Sequence, residues 1–452
     1  MRKDVSPMKL LLLSGGSGKR LWPLSNDVNS KQFIRLLDDG NGAKQSMIER
    51  VFQQLNDMDF AKDAYILTNA QQQDAIVYQI GTEVNIITEP SRRDTFPAIV
   101  LGASYLNEQQ IDSDETILVM PVDAYVDTRF FKYFPQIDKA VQQSNGAIHL
   151  IGVTPLHPTS KYGYIVPNET TQVSSVRLFQ EKPDVEVAKA LIQQGALWNC
   201  GVFACKLHTL LDQLNELQLP LTYSELSPHY DQLEKTSFDY AVVEHAESVF
   251  VHRYNGYWKD LGTWNTLTEE MTETSHGQVE LFDSENTHVI NELNLPLLGI
   301  GLNDLVVAVN ADGILVATKE STPQLKDYLA ASDHYPKFKW KRWGQSEVIH
   351  HETLASGHYS VTRRMFVHAD KELSYHYHEM TDTIWTILQG SAVVTIDGQT
   401  FEAKPTDVIT IKKGAAHTLK AHENLILIEV QHSETQTLDD VCAVPLPQDR
   451  RS

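Results

Sequence analysis

The chain is short of cysteine, of long apolar runs and of positive charge, and each shortage removes a class of function. Its 452 residues hold three cysteines, Cys200, Cys205 and Cys442. None has a partner at zinc-ligand spacing, and three thiols build no disulfide framework, so a reducing compartment, the cytoplasm, is expected. The apolar run nearest the start, Leu10 to Leu13, is four residues long. A secretory signal needs roughly 7–15 apolar residues and a membrane helix about 20, so a soluble chain that does not engage a membrane is expected. Lysine and arginine number 38 against 59 aspartates and glutamates, a formal net charge of −21. A duplex nucleic-acid binder is excluded, because neutralising phosphates needs a basic footprint. A small phosphorylated ligand in a local basic pocket is not. No internal repeat or low-complexity tract is visible.

What is present reads as three regions. Residues 1–270 alternate apolar, β-branched strands (9–14, 64–68, 84–88, 116–123, 147–153, 249–254) with helical stretches such as 46–57 and 96–109. Continuously apolar strands are buried on both faces, which predicts an α/β domain with a mostly parallel sheet, Rossmann-like in architecture. Residues 271–335 predict a small β-rich linker, with Asn310-Ala311-Asp312-Gly313 turning between two apolar runs. Residues 336–440 show short strands punctuated by turns such as Asp397-Gly398, the pattern of a β-barrel.

The stretch LLLLSGGSGKRLWPLS (10–25) carries the sharpest signal. It is not a P-loop: Leu13 stands where the first glycine is required and Arg20 where Ser or Thr must hold Mg²⁺. It is not a dinucleotide fingerprint either, because Leu21 replaces the third glycine. The remaining reading uses the amides of Gly15, Gly16, Ser17 and Gly18 as phosphate donors at a loop-to-helix junction, beside Lys19. Arg20 adds a planar cationic fork and Lys31 a second point charge. Asp123 ends an apolar strand, where open α/β sheets place ligands.

This order, with IITEPSRRDTFPAIVLGA (86–103), VMPVDAYV (119–126), YGYIV (162–166), FQEKPD (179–184), WNCGVFACK (198–206), SFDYAVVE (237–244) and YWKDLGTWNTL (257–267), resembles the sugar-1-phosphate nucleotidyltransferases, and more narrowly the mannose-1-phosphate guanylyltransferases. The resemblance implies an enzyme of polysaccharide biosynthesis that forms GDP-mannose and pyrophosphate from GTP and mannose 1-phosphate. It implies Mg²⁺ on Asp123 and Asp260, catalytic cations Arg20, Lys31 and Lys182, a nucleotide segment at Arg93, Asp94 and Thr95, and a sugar pocket of Tyr162, Gly163, Glu181 and Asn199. The chain departs from the family at Lys19, Ser30, Asp94, Phe96 and Ala124. Another base or sugar (a GDP-heptose or UDP-sugar former) and a non-catalytic sugar-nucleotide binder therefore stay open, as does a homodimer.

The last region resembles the cupin of bifunctional mannose-6-phosphate isomerase/guanylyltransferases, through KRWGQSEVI (341–349), His376-Tyr377-His378, KKGAAH (412–417) and LIEVQ (427–431). It implies a divalent metal, Zn or Co, on His376, His378, Asp382 and His417. Large departures around SYHYHEMTDTIW (374–385) favour a structural, oligomerising or metal-binding cupin, with isomerisation as the alternative.

Overall fold

The computed structural model describes residues 8–16, 18–144, 146–329, 336–434 and 440–445. Two compact units emerge: Met1–Leu21 with Ser30–Thr272, and Trp22–Asn29 with Glu273–Ser452. The short segment Trp22–Asn29 thus belongs with the C-terminal half of the chain.

The first unit is built on a nine-stranded sheet: β1 Lys9–Leu13, β2 Ala64–Asn69, β3 Asn85–Glu89, β4 Thr116–Pro121, β5 Ile148–Val153, β6 Tyr164–Pro167, β7 Val173–Gln180, β8 Leu197–Lys206 and β9 Val249–Tyr254. Their lateral order is β3-β2-β1-β4-β8-β5-β9-β7-β6, with a further β8–β6 pairing. The sheet is mixed, with seven of its nine strands running in the same direction. Strand β8 runs against its neighbours β4 and β5 in the middle, and β7 runs against β9 and β6 near one edge. The apolar runs read from the sequence are the strands covered on both faces: Leu10, Leu11 and Leu12 are at most 1% exposed, each side chain contributing roughly 1.5–3 kcal/mol by transfer from water. Helix Thr95–Glu108 buries ten of its residues against this sheet. Helix Met47–Asp57 starts at a capping box between Ser46 and Glu49.

Chain order reverses between β1 and β4. From β1 the chain goes to β2 and β3 on one side, then returns to lay β4 on the other. Such a reversal leaves a crevice beyond the carboxyl ends of the two strands, where ligands of open α/β sheets bind. The glycine loop leaves β1 there, and Asp123 follows β4.

The second unit opens with short parallel ladders. Val279 pairs with Leu297, His288 with Val306 and Glu285 with Asn303, an offset of 18 residues each time. This is a coiled β-helix-like rung spacing, so a structural repeat exists where none was visible in the sequence. Barely two rungs are present, and of the stacked residues only Val289 and Val307 are identical, while Leu281 stacks on Gly299 and Ile290 on Ala308. The antiparallel strand Gly313–Thr318 closes the coil on Leu305–Asn310. A barrel of a six-stranded and a five-stranded sheet follows, filled by Val367, Trp385, Ile387, Val394, Leu419, Leu425 and Leu427 among others. These features make the first unit an α/β domain and the second a β-helix-like coil followed by a β-barrel. Among the described residues, no helix is long and apolar enough to cross a membrane.

Candidate active site

The loop after β1 rests on a buried polar floor. Gln32 Nε2 donates to the Ser14 carbonyl and hydroxyl, both at 3.1 Å. Ser30 Oγ donates to the Gly16 carbonyl at 2.8 Å, and the Gln72 carboxamide lies against the hydroxyls of Ser30 and Thr68. Ser30, Gln72 and Thr68 are fully buried. These bonds hold the loop from beneath. Gly16 is exposed and Gly15 half-buried, while Gly18 is buried; Ser17 lies outside the described residues. Lys19 and Arg20 open a single 3₁₀ turn, Lys19–Leu21, with Arg20 exposed.

Lys31 begins the next 3₁₀ turn, Lys31–Phe33. Its ammonium lies 2.6 Å from Asp123 Oδ2 and 3.5 Å from Asp260 Oδ1. Burial pulls the Lys31 pKa down, but the two carboxylates outweigh it and hold the group above the ordinary lysine value. The carboxylates converge because the strand pair Ala124–Val126 and Trp258–Asp260 places Asp260 opposite Ala124, next to Asp123. Two facing carboxylates already sharing one cation are a donor set that suits a hard divalent ion.

A second cluster sits at the ends of β6, β7 and β8. Tyr162 packs between Trp198 and Trp258, with ring centres 4.9 and 5.5 Å away. Glu181 is buried and receives Lys182 Nζ at 2.6 Å. Gly163 passes so close that Glu181 Oε2 lies 2.5 Å from where a Cβ would stand. Asn199 Nδ2 donates to Asp239 Oδ1 at 2.7 Å. Burial, reinforced by the Glu181 charge, pushes Asp239 up to about 7. Two carboxylates, an amide and one ammonium thus converge in this cluster.

The Arg93-Asp94-Thr95 segment is placed differently from the rest. Arg93 Nε donates to the Leu233 carbonyl at 3.0 Å. Asp94, at φ +71°, caps the following helix through Thr95 N, and Thr95 Oγ1 accepts from Phe238 N at 2.9 Å. These bonds are structural. The neighbouring Glu89, which the sequence reading did not single out, meets the glycine loop: its Oε1 lies 2.7 Å from where a Cβ on Gly15 would be, and Tyr230 donates to its Oε2 at 2.8 Å. Glu89, Asp239, Gln32 and Gln72 thus touch the candidate site, and the sequence reading did not single them out. Glu89, Asp239 and Gln32 lie inside recognisable motifs, which is the signal that could have found them.

In the barrel, His376 and His417 face each other in register. With His378 they bring three ring nitrogens within 4.8 Å of one another. Each Nδ1 meets a backbone carbonyl: Ser374 at 2.7 Å, Asp440, and Ala415 at 2.9 Å. That fixes the tautomer and aims each Nε2 lone pair inward, as metal-binding imidazoles require. His417 is fully buried and its Nε2 has no hydrogen-bond partner among the described residues. The donor set therefore fits a transition metal. Asp382 does not join it. Strand Thr381–Gln389 turns Thr381, Thr383, Trp385 and Ile387 inward. Asp382 points out and pairs with Lys412 Nζ at 3.0 Å and Lys413 N at 2.9 Å. The alternation of a strand excludes it from the ligand set, and Thr383 occupies the next inward position. The barrel wall beside the histidines holds a buried Arg363–Glu429 pair at 2.9 Å, and Lys337, Lys339 and Lys341 line the same cavity.

Residues 9–277 match the nucleotidyl transferase family model, and residues 330–445 match the mannose-6-phosphate isomerase C-terminal model. The chain is 27% identical to a mannose-1-phosphate guanylyltransferase of Salmonella muenchen, over 97% of this chain and 98% of that protein. It is 28% identical to one of Escherichia coli (strain K12), over 95% and 96%. It is also 26% identical to the xanthan biosynthesis protein XanB of Xanthomonas campestris pv. campestris (strain B100), over 97% of each. A solved structure from Thermus thermophilus, described as a mannose-1-phosphate geranyltransferase, superposes with a TM-score of 0.62 at 25% identity, covering 72% of this chain and 98% of that one. The chain is an enzyme belonging to the nucleotidyl transferase family.

Proposed function

We propose that the first unit transfers a guanylyl group from GTP to mannose 1-phosphate. The observation that carries this reading is Lys31 set between Asp123 and Asp260 beside the glycine loop, at the point where strand order reverses. The sugar-phosphate oxygen attacks the α-phosphorus, the new P–O bond forms as the bond to the bridging oxygen of the β-phosphate breaks, and pyrophosphate leaves. Catalysis of this kind is mainly positioning and charge stabilisation. When bound, Mg²⁺ on Asp123 and Asp260 would supply charge neutralisation at the phosphate oxygens. Lys31 screens the repulsion between the two carboxylates and presents an ammonium to the phosphates. Arg20 and the loop amides hold the triphosphate tail. Lys182 neutralises the sugar phosphate, while Glu181 and Asn199 accept and donate to sugar hydroxyls.

In the barrel, His376, His378 and His417 would hold a divalent transition metal such as Zn²⁺ or Co²⁺. Pyrophosphate release measured across nucleoside triphosphates and sugar 1-phosphates tests the reading. Turnover is expected with GTP and mannose 1-phosphate, and turnover only with another pair would overturn it.

A further inference from the structure

The chain leaves the first unit after Leu21 and rejoins it at Ser30. The two cations assigned to the nucleotide, Arg20 and Lys31, flank this excursion. We propose that Trp22–Asn29 is a tether through which the C-terminal unit positions Arg20, Lys31 and the glycine loop; this rests on the reading of those two residues given above.

The tether is docked over its whole length within the second unit. The Trp22 ring covers Gly313 so closely that a Cβ at that position would overlap the indole. Asn310 Nδ2 donates to the Pro23 carbonyl at 2.9 Å. Asn26 Nδ2 donates to Asp312 Oδ2 at 2.7 Å, and Asn29 Nδ2 to the Phe338 carbonyl at 2.6 Å. Asn26 also folds the segment on itself, its Oδ1 accepting from the amides of Val28 and Asn29 at 2.9 and 2.7 Å. Pro23, Leu24, Ser25 and Asn29 are buried.

Little slack separates the docked residues from the site. Only the buried Leu21 stands between Trp22 and Arg20. At the other end Asn29 is followed directly by Ser30, which holds the Gly16 carbonyl, and then by Lys31, which holds Asp123. Planar peptides allow no more than a few dihedral angles of freedom over such distances. The Asn310–Gly313 turn is thereby a set of positioning residues for a site nearly three hundred residues earlier in the chain.

The test uses the full-length protein. Gly313→Ala should push the indole off its seat. The expected result is a rise in KM for GTP of about tenfold, the equivalent of about 1.4 kcal/mol, with KM for mannose 1-phosphate unchanged. Backbone hydrogen exchange across residues 14–21 should rise in the same variant without substrate present. In a Trp22→Ala background, Gly313→Ala should add nothing further, because coupled residues are not additive. Asn26→Ala, which adds no bulk, should move GTP KM and exchange in the same direction, and it decides the matter if Gly313→Ala does not fold. Wild-type exchange, unchanged GTP KM or additive effects in these variants would overturn the tether. If the wild-type protein turned over a different substrate pair, the guanylyl reading would fall while exchange across residues 14–21 still decided this one.

Discussion

The two polar centres of this chain solve opposite electrostatic problems. The transferase site is a lattice of charges, with Lys31 between Asp123 and Asp260 and Lys182 against Glu181. The barrel centre presents three imidazoles whose outer nitrogens are already committed to carbonyls. Burial pulls His417 down to about 4 and lowers His376 as well. The first arrangement suits reactants that arrive carrying charge of both signs, which rearrange existing pairs. The second suits a cation that arrives alone and finds lone pairs aimed at it.

The sharpest way to break this contrast is to remove one charge from the first site. Asp123→Asn should lower nucleotidyl transfer by roughly 10²–10³-fold, the scale set by losing one oriented electrostatic group, with metal content of the barrel unchanged. Steady-state kinetics beside elemental analysis checks both halves. His417→Ala is the converse. It should weaken metal binding by on the order of 100-fold while transfer proceeds. A coupled loss of both would show that the centres are not independent.

Lys182→Met should raise KM for the sugar 1-phosphate by roughly 10-fold or more, as expected for losing a charge-assisted bond of about 1.5–3 kcal/mol, and leave KM for GTP alone. An equal change in both would move Lys182 to the nucleotide. A stability measurement separates the units differently. His149 and His252, both nearly fully buried in the first unit, touch through ring nitrogens 3.0 Å apart. Burial pulls each down to about 4, the neighbouring His252 adding to the effect on His149. A base whose folded pKa is depressed favours the folded state above its unfolded pKa and loses that contribution as pH falls. Between pH 6.5 and 5, stability should drop by on the order of 2 kcal/mol per imidazole. Urea midpoints across this range, with His149→Phe flattening the profile, provide the check. The smallest effect belongs to Asp382→Asn. With its carboxylate outside the barrel, metal content should not change, and the lost pairing with Lys412 should cost under about 1 kcal/mol.

Much of the fold was legible because buried parallel strands are continuous apolar runs: Lys9–Leu13, Ala64–Asn69 and Thr116–Pro121 begin where the sequence predicts. Strand β8 was legible only as a motif. It carries Asn199, Cys200 and Gly201 through a register shift, which breaks the strand signal. The glycine loop, Asp123, Asp260 and the three histidines were readable from spacing and resemblance, and the structure brings each group together. Glu89 and Asp239 sat inside motifs without being singled out, since a carboxylate in a motif acquires its meaning only from Gly15 or Asn199, which the fold brings against it. Asp382 was misplaced for a reason that strand parity already contained. With Trp385 and Ile387 facing in, every even-numbered residue of that strand faces out.

The docking of Trp22–Asn29 in the C-terminal unit also bears on how such chains can be recombined. The boundary between the units is crossed three times, at 21/22, 29/30 and 272/273. Cutting at 272 alone would leave an eight-residue insertion in the catalytic half with its seat removed. Replacing the C-terminal half by another would pair Trp22 and Asn26 with a turn that did not evolve beside them. The exchangeable module is therefore discontinuous, an octapeptide near the start together with everything after 272, and a graft that carries both pieces should retain nucleotide affinity where a graft of the latter alone loses it.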